Sequence, residues 1–248
     1  MKPGAGAGPA PLLIVYRDDR YVAVDKPSGV AVHRGWAEGG KDDLPLLQRV
    51  RDQVGCHVFP VHRLDRGASG VVLFALDSEA AGAASRTFAE GAAEKRYLAL
   101  TRGHPPERTT VDHPVPRAED GPRVPAVTDI VLVERLGRYA LVEAAPRTGR
   151  LHQIRRHLKH LSCPILGDVR YGKGEHNRLC RERHGLHRLA LHASSLRLPH
   201  PLRAGESLHA EAVLPADLEG PLGSLREAAR AATSAALGTD GGGGTAEP

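Results

Sequence analysis

Short β-like runs crowd this chain, and few helical stretches separate them. LLIVY (12–16), YVAVD (21–25), GVVLFAL (70–76), KRYLAL (95–100), TDIVLVERL (128–136), YALVEA (139–144) and RLALHA (188–193) are dominated by β-branched, aromatic and aliphatic residues. Parallel neighbours need a crossover of a dozen or more residues, usually helical, so strands without one pair antiparallel. Three internal helices are expected. Leu44 to Val54 sets Leu46, Leu47, Val50 and Val54 on one face, with Gly55 as the stop, and Ser78 to Glu90 follows Asp77. Leu151 to Leu161 sets Leu151, Ile154, Leu158 and Leu161 on one face, and Arg155, Arg156 and Lys159 on the other. A terminal helix is expected within 216–237, with Ser224 as its N-cap. The fold class is α+β: a mixed, largely antiparallel sheet with flanking helices, over a body at 12–215 between unstructured ends at 1–11 and 238–248.

The longest apolar run, Val71 to Leu76, has six residues, where a membrane-spanning helix needs about 20. The N-terminal MKPGAGAGPAP lacks the apolar core of a secretory signal, so a cytoplasmic protein without a membrane partner is expected. Cys56, Cys163 and Cys180 fit no CxxC pattern and are read as reduced, structural residues. The net charge of +5 is unevenly spread: residues 147–188 hold eleven Lys and Arg against three acids, a local +8. That is the footprint of a polyanion partner, nucleic acid being the commonest, although a solvated basic face would have the same composition.

Several motifs fail. GDVRYGKG (167–174) has phosphate-loop spacing but ends in Gly174, where a metal-binding hydroxyl is required. GASG (67–70) is one residue short of a nucleophile elbow. His152, His157 and His160 come without the acidic companion of a zinc helix, so no metal is expected. What holds is HRLDRGASG (62–70), which leads directly into a hydrophobic strand. Asp65 lies there between Arg63 and Arg66, whose charge favours the carboxylate. Such a group can serve as a nucleophile or an electrostatic stabiliser, and an aspartate salt-bridged in an ordinary turn would look the same.

HRLDRGASG resembles the catalytic motif of the pseudouridine synthases of the ribosomal synthase A type. DDRYVAVDKPSGVAVH (18–33), EKRYLAL (94–100), TGRLHQIRRHLKHLSCPILGD (148–168) and RLALHA (188–193) agree with that family in the same order. VHRGW (32–36), VRDQVGCHVFPVHRLDR (50–66) and HNR (176–178) resemble its tRNA-modifying members. The resemblance implies the pseudouridine synthase fold, with a central active-site cleft. It implies that Asp65 is the catalytic carboxylate, that Arg155 pairs with it, and that Tyr97 stacks on the uracil and takes the C5 proton. His62, Arg63, Arg150, His152 and Arg156 are the implied substrate-binding residues. Ala68 stands where the family has Thr, and Leu151 where it often has Thr or Lys, departures that touch fine tuning and no charged group.

Converting uridine to pseudouridine breaks the C1′–N1 bond, turns the base and joins C5 to C1′. Nothing is added or lost, so no cofactor is expected. Glycosidases use a second carboxylate to activate water, and water here would trap the sugar, so one carboxylate suffices. The expected partner is RNA, a tRNA stem uridine near the acceptor end, acted on by a monomer. The alternatives are ribosomal RNA as the substrate and an RNA-binding protein without catalysis. The presence of Asp65, Tyr97 and Arg155 argues against the latter.

Overall fold

The computed structural model describes residues 10–33, 44–118 and 121–238. The expected unstructured ends therefore fall almost wholly outside the described residues, as does most of VHRGW. Twelve strands and five helices are present among them. They run β1 (Ile14–Arg17), β2 (Tyr21–Lys26), α1 (Leu46–Val54), β3 (Phe59–Pro60), β4 (Ser69–Ala75), α2 (Ser78–Ala89), β5 (Glu94–Arg102) and β6 (Arg108–Asp112). Then come β7 (Val115–Pro116), β8 (Arg123–Val124), β9 (Val127–Leu136), β10 (Tyr139–Pro146), α3 (Gln153–His160), α4 (Gly174–His184), β11 (Leu191–Pro199), β12 (Ser207–Glu211) and α5 (Ala216–Gly238).

Ten strands form one sheet with the path β1-β2-β4-β11-β5-β10-β9-β6, to which β12 and β3 add at β11 and β4. Every pairing in it is antiparallel except β4 with β11, a two-residue parallel seam of His192 with Ser69 and Ala193 with Gly70. The fold is thus α+β with a mixed, largely antiparallel sheet.

Side chains alternate across this sheet, so successive residues feed two separate cores. Val22, Val24, Val72 and Phe74 join a core that also takes in Leu46 and Val50 of α1, Leu158 of α3 and Leu218, Leu222 and Leu225 of α5. Tyr21, Ala23, Val71, Leu73 and Ala75 face the other way, against Ala80 and Ala84 of α2 and Leu208 of β12. Burial on both faces explains why β4 reads as a continuous apolar run. Asp77 caps α2 by accepting the Ala80 amide at 2.8 Å, and Gly55 ends α1 in the left-handed conformation (φ 77°).

Some expectations are corrected. On the basic face of α3, Arg155 is only 9% exposed while Lys159 is exposed, so the three cations grouped by spacing differ in burial. Ser224 lies inside α5, which begins at Ala216, because the first turn already buries Leu218. RLALHA enters its strand only at Leu191, while Arg188 and Leu189 belong to the preceding loop. Cys56 is exposed, unlike Cys163 and Cys180.

The parallel seam tolerates no side chain at Gly70. Its φ is 112°, and a Cβ there would overlap the Ala193 carbonyl. Gly70→Ala is therefore expected to lower the unfolding free energy by roughly 3 kcal/mol in urea titration, whereas Gly137→Ala, in a hairpin turn with open space around it, loses much less.

Candidate active site

The turn that carries Asp65 leads straight into the seam, and two buried groups hold it from below. Lys26, wholly buried at the end of β2, donates from Nζ to the carbonyls of Pro27 (2.8 Å), Val30 (2.9 Å) and Arg66 (3.2 Å). It thereby ties the KPSG loop to the Asp65 turn, and burial pushes its amine down to about 7. Arg188 donates from Nη2 to Ser69 Oγ at 2.8 Å. The Ser69 hydroxyl is 2.8 Å from His192 Nδ1, and His192 Nε2 lies 3.0 Å from the Ala212 carbonyl. A carbonyl only accepts, so His192 carries its proton on Nε2 and accepts the Ser69 hydroxyl at Nδ1. Ser69 is thus part of the seam and not a hydrolytic nucleophile.

Arg155 of α3 reaches Asp65 from the other side. Its Nη1 donates to Asp65 Oδ2 at 3.0 Å, while Nε and Nη2 form a fork on Asp168 at 2.8 and 2.9 Å. Burial pushes the Asp168 carboxyl up, but the Arg155 hydrogen bonds and charge, with the Tyr171 and Arg170 amides, outweigh it and hold the group below its ordinary value. Asp168 is itself set by Asn177 of α4, which accepts the Gly167 amide at 3.0 Å and donates to the Asp168 carbonyl at 2.9 Å.

The loop before α3 is fastened by Gln153. Its Oε1 accepts from Thr148 Oγ1 (2.7 Å) and the Arg150 amide (3.0 Å), and its Nε2 donates to the Val127 carbonyl and Thr128 Oγ1, both at 2.9 Å. All four hydrogen-bonding positions of the amide are therefore used. The next residue back, His152, has φ 53°, a left-handed conformation that a non-glycine residue adopts at a cost of about 1 kcal/mol or more. That conformation sets His152 Nε2 3.8 Å from Asp65 Oδ2 and Nδ1 3.1 Å from the Tyr171 hydroxyl.

These elements enclose a cavity of about 490 Å³. Its wall includes His62, Arg63, Asp65, Tyr97, Arg150, His152 and Arg155, so the structure brings together every expected site residue except Arg156. Arg156 lies outside the wall, over the Tyr171 ring at 5.3 Å from its centroid, where Arg155, Lys159 and Arg170 also meet that ring at 5.0 to 5.9 Å, and the buried Nε of Arg156 has no hydrogen-bond partner. His62 stacks on Phe88 at 5.2 Å and accepts the Leu73 amide at Nε2. Burial pushes it down to about 4, so it is a neutral wall and not a cation for phosphate. The three histidines weighed as metal ligands diverge: His152 faces Asp65, His157 is buried between Thr128 and the His113 carbonyl, and His160 stacks on His113 at 4.0 Å.

Among the described residues Asp65 is the one acid on that wall, beside Arg63, Lys95, Arg147, Arg150 and Arg155. Fold and cavity thus present a basic cleft with one carboxylate among its described residues, where a glycoside hydrolase uses two. Residues 20–160 match the family described as RNA pseudouridylate synthase. The chain is 42% identical over 214 residues to tRNA pseudouridine synthase C of Vibrio parahaemolyticus, covering 78% of this chain and 87% of that protein. It is 43% identical over 211 residues to the protein of that name from Vibrio cholerae, covering 77% and 86%. Among solved structures, human RNA pseudouridylate synthase domain containing 4 superposes with a TM-score of 0.69 at 31% identity, covering 86% of this chain and 93% of that one. Human RNA pseudouridylate synthase domain containing 1 gives 0.69 at 30%, covering 93% and 98%. This chain belongs to the RNA pseudouridylate synthase family and is an isomerase acting on RNA.

Asp168, Tyr171 and Lys95 carried no assigned role in the sequence. Asp168 stood inside a quoted motif, ILGD, yet an aspartate after a glycine signals an ordinary turn as readily as an arginine clamp. Asp168→Asn removes one charge from a buried fork and leaves Arg155 half paired. A loss of about 3 kcal/mol is expected in urea unfolding at neutral pH. Because the folded carboxyl titrates below its ordinary value, its contribution is full above the unfolded value and disappears as pH falls through the folded one. The deficit of the variant should therefore shrink on acidification.

Proposed function

We propose that the protein isomerises a uridine in tRNA to pseudouridine, acting as a monomer in the cytoplasm on a stem position near the acceptor end. The observation that carries the chemistry is Asp65, the one acid on the cavity wall among the described residues, held at 3.0 Å by an arginine whose other nitrogens grip Asp168. What supports tRNA is that relatives at 42–43% identity, matched over 86–87% of their length, bear the name tRNA pseudouridine synthase C.

In this reading Asp65 acts at the flipped nucleotide, and Arg155 keeps its carboxylate fixed in direction. Tyr97 stacks on the uracil. Burial, aided by the Asp65 charge, pushes the Tyr97 phenol above its ordinary value, which favours stacking over acceptance of the C5 proton. Arg63, Arg150 and His152 line the nucleotide, and Arg156 meets the RNA backbone outside the cavity. A uridine in a stem must leave the stack, at a cost of a few kcal/mol, and phosphate contacts elsewhere supply it.

Asp65→Asn should abolish pseudouridine formation on unmodified transcribed tRNA while leaving its Kd within about twofold of wild type. Turnover by that variant would remove Asp65 from its role, and modification of ribosomal RNA fragments alone would overturn the tRNA assignment. With about six phosphates contacted, tRNA affinity should fall roughly 1,000-fold between 50 and 200 mM salt. A flat response would refute the electrostatic part.

A further inference from the structure

Lys95 stands two residues before Tyr97 on β5, so the two side chains leave the same face of the strand roughly 7 Å apart. Both line the cavity. Arg96, between them, turns to the opposite face and pairs with Glu143 at 2.7 Å. The Lys95 ammonium lies in the same pocket as Ser85, Phe88 and Ala89 of α2, and its charge reaches the imidazole of His62. Among the described residues no carboxylate comes within ion-pair distance of it, and no hydrogen bond is made to it.

The other cations of the wall differ. Arg147 is paired with Asp129 at 2.7 Å, Arg150 donates to the Pro125 carbonyl at 3.2 Å, and Arg155 is divided between Asp168 and Asp65. Arg63 also has partners within the protein. Among the described residues Lys95 is desolvated with neither an ion pair nor a hydrogen bond to its ammonium, and burial accordingly pushes its amine below the ordinary value. A cation kept unpaired against an apolar wall is stabilised only when an anion enters.

The reaction generates such an anion. When the C1′–N1 bond breaks, its electron pair stays with the base, giving a uracil anion with charge spread over N1, O2 and O4. C5 then bonds to C1′, the C5 proton leaves, and a proton is delivered to N1, so atoms and charge balance. A base stacked on Tyr97 is one strand step from Lys95. We propose that Lys95 is the counter-ion of the detached uracil, holding it through O2 or O4, the exocyclic oxygens that share the negative charge, while it turns to present C5. This rests on the isomerase reading above and adds a catalytic residue to it. A phosphate would call for the same cation, but its charge is present before reaction. Lys95 would then strengthen RNA binding, whereas stabilisation of the uracil anion appears only in the rate.

The test is single-turnover pseudouridine formation on transcribed tRNA with enzyme in excess, comparing wild type, Lys95→Met and Lys95→Arg, with Kd and its salt slope measured in parallel. Lys95→Met should react about 100-fold more slowly at saturation, with Kd and salt slope unchanged, and Lys95→Arg should recover most of the rate. If Lys95→Met melts below wild type, Lys95→Gln, which keeps a polar chain, replaces it under the same criteria. A neutral variant that reacts at the wild-type rate overturns the proposal. So does a defect confined to Kd with the salt slope reduced by about one, which would make Lys95 a phosphate ligand. Absence of product with wild type would instead defeat the isomerase reading itself.

Discussion

The site depends on how one guanidinium is divided. Arg155 presents two nitrogens to Asp168 and one to Asp65, so one cation serves two carboxylates. Fork geometry toward Asp168 fixes the plane of the guanidinium, and a fixed plane points the remaining nitrogen at Asp65 in one direction only. A lysine, with a single rotatable ammonium, could not do both.

Much of the remaining architecture presents these three residues to one another. Asp65 comes from the turn entering the parallel seam, Arg155 from α3, and Asp168 from the loop that Asn177 of α4 pins. α3 is itself indexed to the sheet by Gln153 on Thr128 and by His157, whose Nδ1 meets the same hydroxyl at 2.9 Å. The His113 carbonyl only accepts, so His157 carries its proton on Nε2, and with burial keeping the ring neutral its Nδ1 accepts the Thr128 hydroxyl while Thr128 Oγ1 accepts the Gln153 amide. The chain of donors has one consistent direction and so fixes one orientation of the helix. The +8 segment is accordingly not all free surface. Arg147, Arg155 and Arg188 meet Asp129, Asp168 and Asp217, while Arg156 and Lys159 lie against the Tyr171 ring.

Central elements were legible in the sequence because hydrophobic periodicity and burial agree there: β2, β4, β5, β9, β10, α1 and α2 fall within a residue or two of expectation. Asp65, Tyr97 and Arg155 were legible as motif residues, and the cavity does gather them. What escaped has physical reasons. β3, β7 and β8 are two residues long, too short for any alternation to register. α4, GEHNRLCRERH, buries only Cys180, so it has no apolar stripe, and Gly185 at its end was the sole sign. Helical spacing groups Arg155 with Arg156 and Lys159 on one basic face, and spacing cannot reveal the buried carboxylate of Asp168, thirteen residues away, that Arg155 also grips. Lys95 drew no attention because a lysine opening a strand is ordinarily solvated.

A single carboxylate also bears on what the base must be given. An enzyme that cleaves a nucleoside and releases the base can let the base diffuse away, whereas an isomerase must keep it against the sugar it has just left. Retention calls for contacts that survive rotation about the axis through the ring. A flat aromatic face is one, because stacking tolerates rotation in the plane. A flexible ammonium is another, because its charge follows an anion without demanding one geometry, unlike a planar fork. In the cavity the arginine that fixes Asp65 comes from α3, and Tyr97 with Lys95 from β5. Under the proposed reading that division matches the chemistry: the sugar side stays fixed while the base side turns.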